Sequence, residues 1–266
     1  MQDADKTTKQ TITRAYESNR FNQALEETLH PGGLELTAKM AGIAGINANC
    51  HVLDIASGRG TTACYLADEY GCRVTGIDLS PISTGLSRNK AAVQNLTGQT
   101  DFLAADGEYL PFADAAFDVI VSECAFSLLL NKQVGAREIA RVLKPGGKFA
   151  FTDVFLTNRL SPELQNELTF SCCFSGAQTT EGYSELLTGA GLKRTHFEDH
   201  SKALKKVTYQ VITGYGSLSA FWEQFGSSNA SCCPANGNRD TRKLWLRMFR
   251  EGKPGYGLLA FKKTLD

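Results

Sequence analysis

The sequence has no net charge: 28 lysines and arginines balance 28 aspartates and glutamates over 266 residues. It has no basic stripe with interleaved aromatics, so no nucleic-acid partner is expected. The densest basic runs, Lys202 to Lys206 and Arg239 to Arg250, are mixed with apolar residues and read as solvated helix faces. No apolar run approaches the ~20 residues of a membrane span, so no membrane association is expected. The opening stretch M-Q-D-A-D-K-T-T-K-Q is polar and lacks a signal-peptide core, which makes the cytoplasm the expected location. Internal repeats and low-complexity tracts are absent. The spacing shows no paired carboxylates and no Ser–His–Asp set. Zinc spacing is also missing. Neither Cys172-Cys173 nor Cys232-Cys233 has the C-x-x-C form, and only His196 and His200 lie near them in sequence. The eight cysteines are therefore expected as reduced thiols.

What is present centres on His51 to Ser80. Val52 to Ile55 is an apolar run suited to a buried parallel strand, with Asp54 near its end. Ser57 to Gly60 makes a tight turn, Thr61 to Tyr70 reads as a helix ended by Gly71, and Arg73 to Ile77 is a second strand closed by Asp78. Gly58 and Gly60 allow a ligand close to the backbone, and the helix start offers free N–H groups. Asp78 lies about 20 residues beyond, where an acid accepts from both ribose hydroxyls. Two ligands fit, a dinucleotide or S-adenosylmethionine. Gly58-Arg59-Gly60-Thr61-Thr62-Ala63 matches the loose dinucleotide pattern G-x-G-x-x-G/A. Asp54 favours the second ligand: its carboxylate repels a pyrophosphate and suits the ammonium of a methionine moiety.

In chain order, residues 1 to about 10 read as frayed, Ile12 to Leu29 as an amphipathic helix, and His30-Pro31-Gly32-Gly33 as a break. Leu34 to Ile46 is a second helix. Ser80 caps a helix that begins at Pro81 and runs to about Leu96. Thr100 to Ala104 and Phe117 to Ser122 are strands. Lys132 to Leu143 is a helix stopped by Lys144-Pro145-Gly146-Gly147, a turn that sets a fifth strand, Lys148 to Phe155. Strands and helices alternate to this point, as in a parallel sheet covered on both faces. Beyond it, Pro162 to Cys172, Thr180 to Ala190, Ser201 to Phe225 and Thr241 to Arg250 read as helices. Leu192 to Glu198 is a strand, and Gly255 to Lys263 a last, antiparallel strand at the sheet edge. Cys172 to Ala177 reads as a small-residue break, and Gly226 to Asp240 as a polar loop.

Five strings in order carry a resemblance: L-D-I-A-S-G-R-G, G-I-D-L-S, A-D-G-E-Y-L-P-F, F-D-V-I-V-S and V-L-K-P-G-G-K-F-A-F-T-D. Across about residues 50 to 155 they resemble the motif set of class I S-adenosylmethionine-dependent methyltransferases. The resemblance implies an α/β fold with a Rossmann-like, seven-stranded, mostly parallel sheet and S-adenosylmethionine as cofactor. It implies a helical cover over residues 1–49, a cofactor-binding core over 50–156, and a substrate cap with the last strands over 157–266. It places Asp54, Ala56, Ser57, Gly58 and Gly60 on the methionine and ribose side, with alanine at 56 where glycine is commoner. Asp78 would hold the ribose and Leu79 pack on the adenine. Asp106 would accept from the adenine amino group, with Ala105 and Gly107 beside it, and Ser122 would lie under the sulfonium.

A narrower resemblance, in V-I-V-S-E-C-A-F-S-L-L and C-C-F-S-G-A, is to arsenite methyltransferases. It implies that Cys173 binds trivalent arsenic, with Cys232 or Cys233 as a later thiol and Cys64 one position from a further one. Soft arsenic suits thiolates. The ordinary reading of Cys64 is a small buried hydrophobe; Cys50 and Cys72 flank strands and read as core or surface bystanders, and Cys124, after the fourth strand, as a packing residue near the cofactor. The alternatives are a methyltransferase for an ordinary O, N, C or S acceptor and a non-catalytic thiol module for metalloids. A dinucleotide oxidoreductase is disfavoured by Asp54. An oxygen or nitrogen acceptor needs a base, for which Glu123, Tyr16 and His200 are candidates. The sequence names no oligomeric state.

Overall fold

The computed structural model describes residues 2–17, 28, 30–168, 173–217 and 241–265. One sheet organises them, in the order β3 (Thr100–Ala104), β2 (Arg73–Asp78), β1 (His51–Ile55), β4 (Phe117–Glu123), β5 (Leu143–Leu156), β8 (Pro254–Lys263), β7 (Leu192–Asp199). The first five strands are parallel, with Val52 opposite Val74 on one side and Val119 on the other. A short β6 (Gln178–Thr179) pairs with the end of β5.

Alternation along β5 assigns its two faces. Phe149 and Phe151 enter one buried cluster with Ile139 of α5 (Lys132–Val142) and Tyr183 of α8 (Thr180–Thr188). Phe126, Phe151 and Tyr183 meet there with ring centroids 5.3–5.9 Å apart, and the Tyr183 hydroxyl donates to the Val154 carbonyl. Each fully buried aromatic contributes about 1.5–3 kcal/mol from apolar burial. Ala150 and Val154 enter the opposite cluster with Met40 of α2 (Gly33–Ala44) and Leu66 of α3 (Thr61–Tyr70). That cluster also takes Ala91 of α4 (Pro81–Val93), Leu164 of α6 (Pro162–Glu167), Leu204 of α9 (Ser201–Tyr215) and Met248 of α10 (Thr241–Gly252). Caps fall where local chemistry asks for them: Ser80 Oγ accepts from Ser83 N at the start of α4, and Asn131 Oδ1 from Val134 N at the start of α5.

Four expectations are corrected. Residues 2 to 10 are helical, not frayed: α1 (Gln2–Glu17) buries Ile12 and is anchored through Lys9. The end of the helix expected to reach Leu29 and the segment 169–172 lie outside the described residues, as does everything from 218 to 240. Lys144 to Gly147 belongs to β5, which opens with a register shift opposite Phe117 and Val119. Within the expected break at Cys172 to Ala177, the described part is a helical turn, α7 (Cys173–Gly176). The last strand is antiparallel but not at the edge. Tyr256, Leu258, Leu259, Ala260 and Phe261 are all fully buried, so β8 has a neighbour on each side, β5 and β7. The half-polar β7 is the edge.

Candidate active site at the carboxyl ends of the central strands

The strand order reverses between β1 and β4, and at such a switch point the strand ends leave a crevice. Above it, the chain from Ile55 turns through Ala56 (φ 60°), Gly58 (φ 53°) and Gly60 (φ 76°) into α3. Gly60 is required twice over. It holds a left-handed conformation, and a Cβ there would lie 2.8 Å from Ser87 Cβ and 3.1 Å from the Phe102 ring. The turn is tied to β2, because Gly58 N donates to Asp78 Oδ2 (2.9 Å) and Ser57 N to the Ile77 carbonyl (2.8 Å). Ser80 N donates to the other Asp78 oxygen, leaving lone pairs on both.

These elements enclose a cavity. Of the expected cofactor residues, Asp54, Ala56, Ser57, Gly58, Asp78 and Leu79 line it from the first two strand ends, and Ala105, Asp106 and Gly107 from the third. Gly60 and Ser122 are not on the wall. Gly60 shapes the turn behind it, and Ser122, buried in β4, donates its hydroxyl to the Ile55 carbonyl. Asp54 is 2% exposed, and burial, followed by the charges of Glu123 and Asp78, pushes its carboxyl well above the usual range. Asp54 Oδ2 and Ser57 Oγ are buried with no hydrogen-bond partner among the described residues. A buried acceptor without a donor is costly, so this end of the cavity is built for a donor, and an ammonium fits it.

Helix α1 lies over the cavity and contributes Lys9, Ile12, Thr13 and Tyr16 to its wall. Lys9 Nζ bridges Asp106 Oδ2 and Glu108 Oε2, each at 2.7 Å, and at the far end Ser80 Oγ donates to Glu17. Burial would lower the Lys9 pKa, but the two carboxylates raise it above its ordinary value.

Glu123 closes β4 with a buried carboxylate, and three elements supply its partners. Thr37 Oγ1 of α2 stands 3.1 Å from each oxygen, Thr62 of α3 donates to Oε2, and His30 Nε2 is 3.1 Å from Oε2. Burial alone would raise the Glu123 pKa; His30, Thr62 and Thr37 hold it below the usual carboxylate value. The same pairing lifts His30 above its ordinary 6.5, against burial.

The thiols separate into two groups. Cys64, expected as a doubtful arsenic ligand, is buried in α3, off the cavity wall, and burial raises its pKa. Cys173 is also buried and off the wall, but its thiol lies beside that of Cys124, which is on it. That contact and burial push the Cys173 thiol well up. Cys232 and Cys233 lie outside the described residues, as does Cys172. Among the candidate bases, Tyr16 and Glu123 line the cavity, while His200 sits 3.4 Å from Glu198 at the start of α9, away from it. Among the described residues no cluster of three His, Cys, Asp or Glu side chains suits a metal, and no helix is long and apolar enough to cross a membrane.

Sequence reasoning passed over Lys9 and His30 and set Cys124 aside as a packing residue. His30 stood in a stretch read only as a helix break. Its usable signal is the Pro31-Gly32 turn behind it, where Gly32 is left-handed and a Cβ would come within 2.8 Å of Leu36.

Comparison with known proteins bears on this cavity. A family model described as a methyltransferase domain matches residues 53–151. The methyltransferase GfsG of Streptomyces halstedii is 26% identical over 240 residues, 89% of this chain and 82% of that protein. An arsenite methyltransferase of Aquipseudomonas alcaligenes is 34% identical over 138 residues, 48% of this chain and 40% of that protein. Phosphoethanolamine N-methyltransferase 2 of Haemonchus contortus, solved with S-adenosyl-L-methionine, superposes with a TM-score of 0.68 at 19% identity, covering 92% of this chain and 56% of that one. It shares the fold.

Proposed function

This chain belongs to the class I S-adenosylmethionine-dependent methyltransferases, and from that premise we propose that it methylates a small molecule enclosed beneath α1. The observation that carries this reading is the fastening of α1 at its middle and at its C-terminal end, Lys9 on Asp106 and Glu108, and Glu17 on Ser80. An acceptor group must enter a cavity covered by a helix, which favours a small molecule over a polymer. For the cofactor, the orphaned Asp54 and Ser57 oxygens suit the ammonium of the methionine moiety, and Asp78 suits the ribose hydroxyls. Leu79 would pack on the adenine and Asp106 accept from its amino group, sharing that carboxylate with Lys9. When bound, S-adenosylmethionine supplies an electrophilic methyl group, and the pair of the broken carbon–sulfur bond stays on sulfur. The chain itself contributes alignment and exclusion of water: α1 above, and Leu128 and Leu129 at the side. A screen of small acceptors with homocysteine release as readout tests the reading. Turnover confined to a protein or nucleic-acid acceptor sinks it.

A second reading, arsenite as acceptor, is favoured by the Cys124–Cys173 contact at the cavity wall and by the arsenite methyltransferase relative. Arsenous acid would exchange two hydroxides for the two sulfurs, each thiol proton leaving in a water molecule. The raised pKa of the Cys173 thiol is then no barrier. Cys173→Ser and Cys124→Ser should each abolish arsenite turnover and spare S-adenosylhomocysteine binding. Wild-type turnover in both variants excludes this pair as the arsenic site.

A further inference from the structure

We propose that His30 accepts the proton of a hydroxyl-bearing methyl acceptor, with Glu123 as its positioning residue. This rests on the small-molecule reading above and narrows the acceptor to an alcohol or phenol. Both side chains line the cavity that holds Asp54 and Ser57. His30 is 5% exposed, and neither of its ring nitrogens makes a well-directed hydrogen bond among the described residues, although Nε2 is 3.1 Å from Glu123. A purely structural pair would satisfy the ring, because a buried polar atom without a partner costs stability. Glu123 has hydroxyl donors in Thr37 and Thr62, so it does not need the imidazole for its own hydrogen bonding. The arrangement instead aims a histidine at the cavity and backs it with a fixed carboxylate, the pattern of a general base and its orienter. Two residues beyond His30 the chain turns through left-handed Gly32, the N-cap of α2.

In that role the acceptor O–H bond breaks, and its electron pair goes into the new bond from oxygen to the methyl carbon. The proton passes to a ring nitrogen of His30. Glu123 neutralises the resulting imidazolium, so no net charge is stranded in the buried site. The charged and titratable groups around the pair are Asp54 from β1, the Cys124 thiol, and Tyr256 of β8, whose hydroxyl donates to Thr152.

The test has two arms. The first follows the ring resonances of the four histidines by NMR in the unliganded protein, with His30→Gln to assign the signal. The His30 resonance should titrate above 6.5 in wild type and move to lower pH in Glu123→Gln. The second arm offers phenol, catechol, glycine and arsenite with S-adenosylmethionine. A hydroxyl acceptor should turn over. His30→Gln should cut kcat about 100-fold or more, with KM within about threefold. Glu123→Gln should shift the acidic limb of the pH–rate profile downward. Unchanged S-adenosylhomocysteine affinity and an unchanged melting profile confirm that each variant is folded. If His30→Gln keeps the wild-type kcat on a hydroxyl acceptor, or if only glycine or arsenite is used, the assignment is overturned while the small-molecule reading stands. If no small acceptor turns over, both are overturned. An NMR signal that does not move in Glu123→Gln overturns the positioning role.

Discussion

Asp153 offers a prediction whose size follows from the structure. It is fully buried in β5, bonded to Ser127 of the Phe126–Leu128 turn. Its Oδ2 accepts from Ser127 N and its Oδ1 from Ser127 Oγ and Val154 N, each at 2.7 Å. Burial outweighs these bonds and raises its pKa from 3.8 to about 6. Because the folded value is the higher one, the folded chain keeps a proton that the unfolded chain has lost between those two pH values. The associated stability is fully present below pH 3.8 and is lost as pH rises through about 6. A gap of about two units corresponds to about 3 kcal/mol. Asp153→Asn mimics the protonated side chain and removes this dependence. Urea denaturation of both proteins at a series of pH values isolates the group, since other titrations cancel in the difference. Measurement should stop near pH 7, because Lys132, pushed down to about 8 by burial, faces Asp153. The wild type should lose about 3 kcal/mol relative to the variant across the window. A flat difference, or a variant that weakens relative to wild type as pH rises, refutes the reasoning.

Lys9→Met should release α1. Loss of hydrogen bonds to charged groups, about 1.5–3 kcal/mol, should speed S-adenosylhomocysteine dissociation about tenfold or more, with faster amide exchange in α1; unchanged rates mean α1 is not a cover. Asp78→Ala should weaken S-adenosylhomocysteine binding in calorimetry by about 1.5–3 kcal/mol, and an unchanged affinity places the ribose elsewhere. Gly60→Ala should destabilise the fold by about 1–3 kcal/mol, read as a lower Tm, because the new methyl meets Ser87 and Phe102 at positive φ; an unchanged Tm removes the steric argument. Substitutions from Ser175 to Ala177 should change acceptor use and leave cofactor affinity alone, as a cap separate from the 50–156 core requires; collapse of cofactor binding in a folded variant contradicts that division.

The elements of the sheet and the first half of the site were legible because their signals are local. An apolar run, two glycines with left-handed dihedrals and an acid about 20 residues on lie within one strand–turn–helix–strand unit, whose geometry leaves little choice of conformation. The caps at Ser80 and the stop at Gly71 depend only on nearby backbone groups. Partnerships between distant residues were not legible. The continuous burial of Leu258 to Phe261 follows from insertion between β5 and β7, and no local period states which strands are neighbours. Lys9 was set aside with a polar terminus because its partners, Asp106 and Glu108, come from the loop after β3. Cys173 was matched by its motif, but its thiol neighbour is Cys124 at the end of β4. His30 reaches Glu123 only because α2, packed across β5 and against α3, brings Thr37 and the residue stretch before the helix to the end of β4. The sequence alone determined where most strands and turns, and the acids on the cavity wall, would lie, since backbone sterics and hydrophobic period act over a few residues. Only the tertiary structure decided which buried charges and thiols meet, because desolvation and pairing depend on distances that packing alone sets.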